Sequence, residues 1–212
     1  MYIPAAFQVA DEARLYAFIQ RYSFASVITQ QAGTLLASHV PLQLETPIGS
    51  PARLSGHLAR ANPQWRQLGA GAEVLVIFAG PHAYVSPSWY ETQPAVPTWN
   101  YTVVHAYGVA ELITERAELL ASLQALVQRH ESRLTRPWNG VMDEEFRDRL
   151  LAAIVGFRVT ITRLEGKFKL SQNRSTADVA GVIQALLESP DPDWQAVAEW
   201  MRVAQDGAEA SS

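Results

Sequence analysis

The chain has 212 residues, 48% of them apolar and 18% charged, enough for one sizeable core with helical additions. A formal charge of −4 argues against a dedicated nucleic-acid module, which normally carries a basic excess. The absence of cysteine excludes disulfides, thiolate metal sites and cysteine nucleophiles, and no apolar run approaches the about 20 residues that span a bilayer.

In chain order, the N-terminal M-Y-I-P-A-A-F-Q has no basic region followed by an apolar core. With the lack of cysteine, this leads us to expect a cytoplasmic protein. Residues 11–22 place Leu15, Phe18, Ile19 and Tyr22 on one helical face, with acids in the first turn. Strands are expected over 24–29 and 34–44, joined as a hairpin by Q-Q-A-G, and again over 53–58. Asn62-Pro63 supplies a cap residue and a proline at the first helical position for a short helix to about Leu68. Strands follow over 73–78 and, after a break at Gly80-Pro81, over 82–85. Residues 86–98, with Pro87, Pro94 and Pro97, read as an ordered loop, and 99–113 as a long strand with Gly108 as a point for a bend.

The texture then becomes helical. A helix over about 114–132 is capped by Thr114 and carries Leu119, Leu123 and Leu126 on one side, and a second covers 143–153. The alternation of 156–164 is that of a strand running into E-G-K-F-K-L-S-Q-N-R. Ser175, with Asp178 at the box position, starts a helix whose apolar face holds Val179, Val182, Ile183, Leu186 and Leu187. A last helix over about 193–204 leads to a frayed tail, G-A-E-A-S-S. The strand at 156–164 returns after two helices and must pair with the earlier strands. We therefore expect an α+β domain with a barrel-like antiparallel sheet over 1–190, helices inserted at about 114–153, and a separate C-terminal helix and tail over 191–212.

Three clusters are candidates for chemistry. No two of the five histidines are spaced as a local metal pair, and no phosphate-binding glycine loop or nucleophile elbow occurs. Arg60, just before the capped helix start at Asn62, reads either as an anion ligand or as a solvent-facing arginine beside an ordinary cap. Lys167 and Lys169 are the chain's only lysines among 17 basic residues. If strand pairing persists to Lys169, both lie on one face with Phe168 on the other. They either share an anion with nearby Arg174 or protect a sheet edge. Tyr84, Trp89, Tyr90, Trp99 and Tyr101 surround the proline-stiffened loop near His82 and His105, suiting a flat ring ligand, a subunit interface or local core packing.

The blocks S-H-V-P-L (38–42), G-H-L-A-R-A-N-P-Q-W (56–65), G-P-H-A-Y-V-S-P-S-W-Y (80–90), V-P-T-W-N-Y (96–101) and K-F-K-L-S-Q-N-R (167–174) resemble the PaiB family of FMN-binding negative transcriptional regulators over about residues 1–190. The resemblance implies a split β-barrel of the antiparallel six-stranded type with flanking helices, like that of pyridoxamine 5′-phosphate oxidase. It implies a homodimer with FMN at its interface and a link to repression of protease and sporulation genes. Ser38, His39 and Val40 would pass the isoalloxazine ring, and Ser55, His57, Arg60 and Asn62 would meet the phosphate. Trp99, Lys167, Lys169, Gln172 and Arg174 would complete the cofactor site, the last four from the second subunit. The oxidase has two adjacent basic residues at the helix start where this chain has Arg60 followed by Ala61 and Asn62, a departure that weakens the phosphate site or shifts its load to Asn62 and the helix N-terminus. The oxidase also has a tryptophan near the position of Lys167, and this departure puts the oxidase's own substrate and reaction in doubt without excluding flavin. DNA is a partner by family name only, because charge and motifs give it no support. Related barrels also bind haem through histidine, which leaves His39, His57, His82 and His105 as alternative ligands.

Overall fold

The computed structural model describes residues 1–209. Its strands are β1 (Gln8–Val9), β2 (Phe24–Gln31), β3 (Thr34–Pro41), β4 (Gln43–Glu45), β5 (Arg53–Ala59), β6 (Glu73–Val85), β7 (Thr98–Ile113) and β8 (Ile154–Lys169). Its helices are α1 (Glu12–Arg21), α2 (Gln64–Leu68), α3 (Arg116–Glu131), α4 (Glu144–Ala152), α5 (Thr176–Glu188) and α6 (Pro192–Glu209), with 3-10 turns at Ala5–Phe7 and Pro87–Trp89. The strand order is β3-β2-β6-β7-β8-β5-β4, and β1 also pairs with β8. The sheet has eight strands because two short ones, β1 and β4, join the six longer ones of the expected barrel.

The chain divides into two compact units, and β6, β7 and β8 each contribute residues to both. The first unit holds Met1–Phe18, Ala79–His105 and the chain from Glu165 onward. Its core is built on Leu15, Phe18, Val85, Val104, Phe168 and Leu170, with Val182, Ile183 and Leu186 of α5 and Met201 of α6. Phe168 stacks edge-on to Trp200 at 5.1 Å and against Phe18 at 5.1 Å. Helices α5 and α6 pack on each other, and the spacing of Val179, Val182, Ile183 and Leu186 gives α5 its buried face.

The second unit holds Ile19–Phe78 and Ala106–Leu164. Strands β2 and β3 form a hairpin closed by Ala32 (φ 49°) and Gly33 (φ 80°), the two positive values that a twist-matched two-residue turn needs. Strand β3, at one end of the strand order, lies against β5 near the other end, so the sheet curls towards closure. Val27, Leu54, Leu58, Val76, Phe157 and Val159 fill the interior.

Four local expectations differ from the structure. The strand expected over 34–44 is interrupted at Leu42, whose buried side chain packs over Gly56; β4 resumes beyond it. Gly80-Pro81 does not break β6. A Cβ at Gly80 would lie 2.3 Å from Thr102 Oγ1 and 2.8 Å from the Phe18 ring, so the glycine admits those side chains to a continuous strand. Thr114 does not cap α3: β7 runs to Ile113, Glu115 takes the cap position without a side-chain bond, and α3 has no buried residue. Finally, α6 continues to Glu209, past the expected end at Ala204, while residues 210–212 of the expected tail lie outside the described residues.

Candidate functional site

In the second unit, β3, β5 and α2 converge. Alternation along β3 turns His39 to the outer face, where Nδ1 lies 2.9 Å from Ser26 Oγ, and turns Ser38 the other way. Ser38 Oγ accepts a hydrogen bond from Asn62 Nδ2 at 2.8 Å, and Asn62 Oδ1 accepts from the Gln64 amide at 3.0 Å. Asn62 thus binds the first amide of α2, whose cap position is taken by Pro63, and ties the helix start to β3, which joins two blocks that lie far apart in the sequence. Beneath it, buried Gln64 donates from Nε2 to the carbonyls of Val27 (2.9 Å) and Leu36 (3.1 Å) and to Thr29 Oγ1 (3.1 Å). Thr29 in turn donates to Gln67 Oε1 at 2.6 Å. Sequence reasoning missed these two glutamines. Their signal was polar residues three apart on the same turn as buried Leu68.

Ser55, opposite Arg158 in the β5–β8 pairing, is buried, and its Oγ has no hydrogen-bond partner among the described residues. His57 is half-buried, and burial lowers its pKa below the usual imidazole value, so it is neutral at pH 7. It lines a cavity of about 780 Å³ whose walls include Leu120, Leu123, Val127, Trp138 and Leu150. Arg60 is exposed, but its guanidinium is held: Nε donates to the Ala152 carbonyl (2.8 Å) and Nη2 to that of Ile154 (2.9 Å). A cation at the C-terminal carbonyls of α4 is favourably placed with respect to the helix dipole. It fastens α4 to the start of β8.

In the first unit, β8 ends as its alternation requires: Phe168 is buried, while Lys167 and Lys169 share the opposite face. Lys167 donates to the Tyr2 carbonyl at 3.2 Å and lies over the Tyr101 ring at 5.3 Å. It faces Gln8 of β1 across a paired ladder, so the bare-edge reading does not hold there. Lys169 donates to the Trp99 carbonyl at 2.7 Å and to Thr98 Oγ1. Burial lowers its pKa, with the charges of Lys167 and Arg174 adding to the effect. The Gln172 side chain folds back on its own strand end, donating to the Phe168 carbonyl (2.6 Å) and accepting from the Leu170 amide (2.8 Å). Arg174 stacks on the Tyr90 ring at 4.5 Å. The aromatic cluster separates into two groups. Trp99, half exposed, meets His82 and Tyr84, whereas Trp89 packs edge-on to Trp194 of α6.

Residues 1–163 match the family described as "Putative FMN-binding domain". The protease synthase and sporulation protein PAI 2 of Bacillus subtilis is 37% identical over 203 residues, covering 95% of this chain and 96% of the relative. Two solved structures share the fold. The FAD and haem binding protein of Mycobacterium smegmatis has a TM-score of 0.58 at 20% identity, covering 82% of this chain and 78% of that one. The flavocytochrome Anf3 of Azotobacter vinelandii has a TM-score of 0.57 at 17% identity, covering 82% and 75%. No described helix is long and apolar enough to cross a membrane. On the family match and the full-length relative, the chain belongs to the PaiB family of FMN-binding split-barrel proteins.

Proposed function

We propose that this chain works in the cytoplasm as a homodimer and holds FMN on the wall made by β3, β5 and the start of α2. The hydrogen bond between Asn62 and Ser38 is the observation that carries this reading, because it brings the two family blocks into one polar cradle. The donor set fits the cofactor. Ser38, Asn62 and the partnerless buried hydroxyl of Ser55 suit a polyhydroxylated chain. Strand β3 ends the strand order, which leaves the outer backbone groups of Ser38–Val40 for the polar edge of a ring. Arg60 uses two of its donors in the clamp on Ala152 and Ile154, and a guanidinium has five, so Nη1 remains for a phosphate oxygen. Bound FMN supplies one- and two-electron redox chemistry. The relative's name attaches it to protease synthesis and sporulation, and we propose a regulatory role through the flavin without direct DNA contact, given the net charge of −4.

Absorption titration of the purified chain with FMN tests the reading. Losing one hydrogen bond costs about 1 kcal/mol, so Asn62→Ala should weaken binding about fivefold to tenfold. If the variant matches the wild type, the cradle is misplaced. A gel-shift titration across salt tests the regulatory clause, and a steep salt slope would indicate direct phosphate contacts with DNA.

One observation favours a second reading. His57 is neutral and lies on the wall of the 780 Å³ apolar cavity, as a haem ligand would. Added haemin would then give a Soret band that His57→Ala abolishes.

A further inference from the structure

The second unit also holds a pocket of about 460 Å³, lined by Gln20 and Arg21 at the end of α1 and by Arg129 and Arg133 at the end of α3. None of the four is a residue expected to meet the flavin, and no aspartate or glutamate among the described residues lines the pocket. The cluster arises where two helices end. Arg21 closes α1, and Arg129 lies in the last turn of α3. The amides of Arg133 and Leu134 donate to the carbonyls of His130 (3.3 Å) and Glu131 (2.9 Å), so the chain keeps turning after α3 and sets Arg133 one turn beyond Arg129.

Cations at helix C-termini have an ordinary use, since they offset the negative end of the dipole. Arg129 serves α1 in this way, donating from Nη2 to the Gln20 carbonyl. That contact occupies one donor of the five on a guanidinium. It leaves Arg133 unexplained: the side chain is exposed and forms no hydrogen bond or ion pair among the described residues. Glu131, the acid between the two arginines in the chain, is turned to the Trp138 amide at 2.6 Å. Burial lowers the pKa of Arg129, and the charge of Arg133 adds to the effect. Like charges one helical turn apart are destabilising, and here Arg21 shares the same pocket. In a chain of net charge −4, acids were available to offset them, yet none is placed on these walls.

We infer that this pocket binds the diphosphate group of a small molecule. Guanidinium groups donate and never accept, so the walls call for a ligand rich in acceptor oxygens. Each planar fork matches a pair of phosphoryl oxygens. Three such cations suit an esterified diphosphate, which carries about three negative charges at neutral pH. The volume falls within the roughly 300–1,000 Å³ of small-molecule sites and exceeds what a lone phosphate fills. With no apolar side chain on the walls, the pocket takes the anionic group and leaves the rest of the ligand outside.

Calorimetric titration of the full chain at low ionic strength, free of divalent cations, tests this inference with inorganic pyrophosphate as the probe. Pyrophosphate should bind once per chain, and orthophosphate and acetate at least tenfold more weakly. Arg133→Gln and Arg129→Gln should each weaken pyrophosphate at least tenfold. Arg133 is exposed and ties nothing together, so its variant reports even if Arg129→Gln loosens α3 from α1. FMN affinity should be the same in wild type, in Arg133→Gln and in the presence of pyrophosphate. The inference is overturned if the wild type binds no pyrophosphate, if orthophosphate binds as tightly, or if Arg133→Gln binds pyrophosphate as the wild type does. Competition between pyrophosphate and FMN, or loss of FMN affinity in Arg133→Gln, would also overturn it, because the pocket would then belong to the cofactor site. So would a short DNA duplex that binds more tightly than pyrophosphate and is lost in Arg133→Gln, since the arginines would then be a nucleic-acid contact. Asn62→Ala should weaken FMN and leave pyrophosphate unchanged, so the two proposals fail separately.

Discussion

Asp178 shows how a single side chain comes to serve two segments. The sequence marks it as the box partner of Ser175, and Ser175 Oγ does accept from the Asp178 amide at 3.2 Å. Its carboxylate, however, accepts from the amide of Thr92, 86 residues away, and so ties the proline-rich loop to α5. That hydrogen bond is the chief reason its pKa is lowered from 3.8. A carboxylate whose folded pKa is depressed contributes stability above its unfolded value, and the contribution is lost as pH falls through the folded value. Asp178→Asn should therefore unfold more readily at neutral pH and show a flatter stability curve below about pH 4, measured by urea unfolding across pH. His57 has the opposite charge type: burial lowers its pKa from 6.5, so protonation favours the unfolded chain and stability falls as pH drops through and below that value. His57→Gln should remove this slope. The helix cap and the shared face of Lys167 and Lys169 were legible because both follow from local periodicity. The partners of Asp178 and Arg60 were not, because they depend on which distant amide or carbonyl the fold delivers.

At the scale of elements, the strands were read well where side chains decide and poorly where glycine does. Gly80 suggested a break, yet β6 continues through it, while β7 runs through Gly108 as the expected long strand. Each glycine makes room: a Cβ at Gly108 would lie 2.2 Å from the Thr160 carbonyl oxygen, and backbone cannot give way as a side-chain tip can. Gly108→Ala should cost about 1–3 kcal/mol, measured as a lowered urea midpoint with little change in m. Gly181 offers a sharper comparison because it lies inside α5, where alanine is normally better by about 1 kcal/mol. Its added Cβ would stand 2.3 Å from the Trp89 carbonyl oxygen. Overpacking against backbone, about 1–3 kcal/mol, outweighs the helical gain, so Gly181→Ala should lower Tm where propensity alone predicts a rise. Helix α3 is the reverse case. Leu119, Leu123 and Leu126 lie along one side of it as expected, but all three are only half-buried: Leu119 lies close to Gly156 of β8, and Leu123 borders the large cavity together with Trp138, Leu150, His57 and Ile154.

For the whole molecule, the family blocks carried more than composition did. Charge, length and absent cysteine bounded the class, and five short motifs in order identified the split barrel. Within the second unit, Arg158 gathers carboxylates from three elements: Glu118 at 2.6 Å, Glu45 at 3.5 Å and Glu111 at 3.8 Å. Burial opposes its charge, but the Glu118 hydrogen bond and the three acids outweigh it and raise its pKa. Removing the cation leaves three acids facing one another, so Arg158→Met should cost about 1–3 kcal/mol by urea unfolding, less at high salt. The proposed FMN site lies where Asn62 joins α2 to β3. Titrating wild type and Asn62→Ala with FMN, followed by flavin absorption, tests it most directly. Saturable binding of one FMN per chain is expected, weakened about fivefold to tenfold in the variant, whose Tm should also fall because the bonds to Ser38 and to the Gln64 amide are lost. Absence of saturable binding in the wild type, or equal affinity in the two proteins, would contradict it.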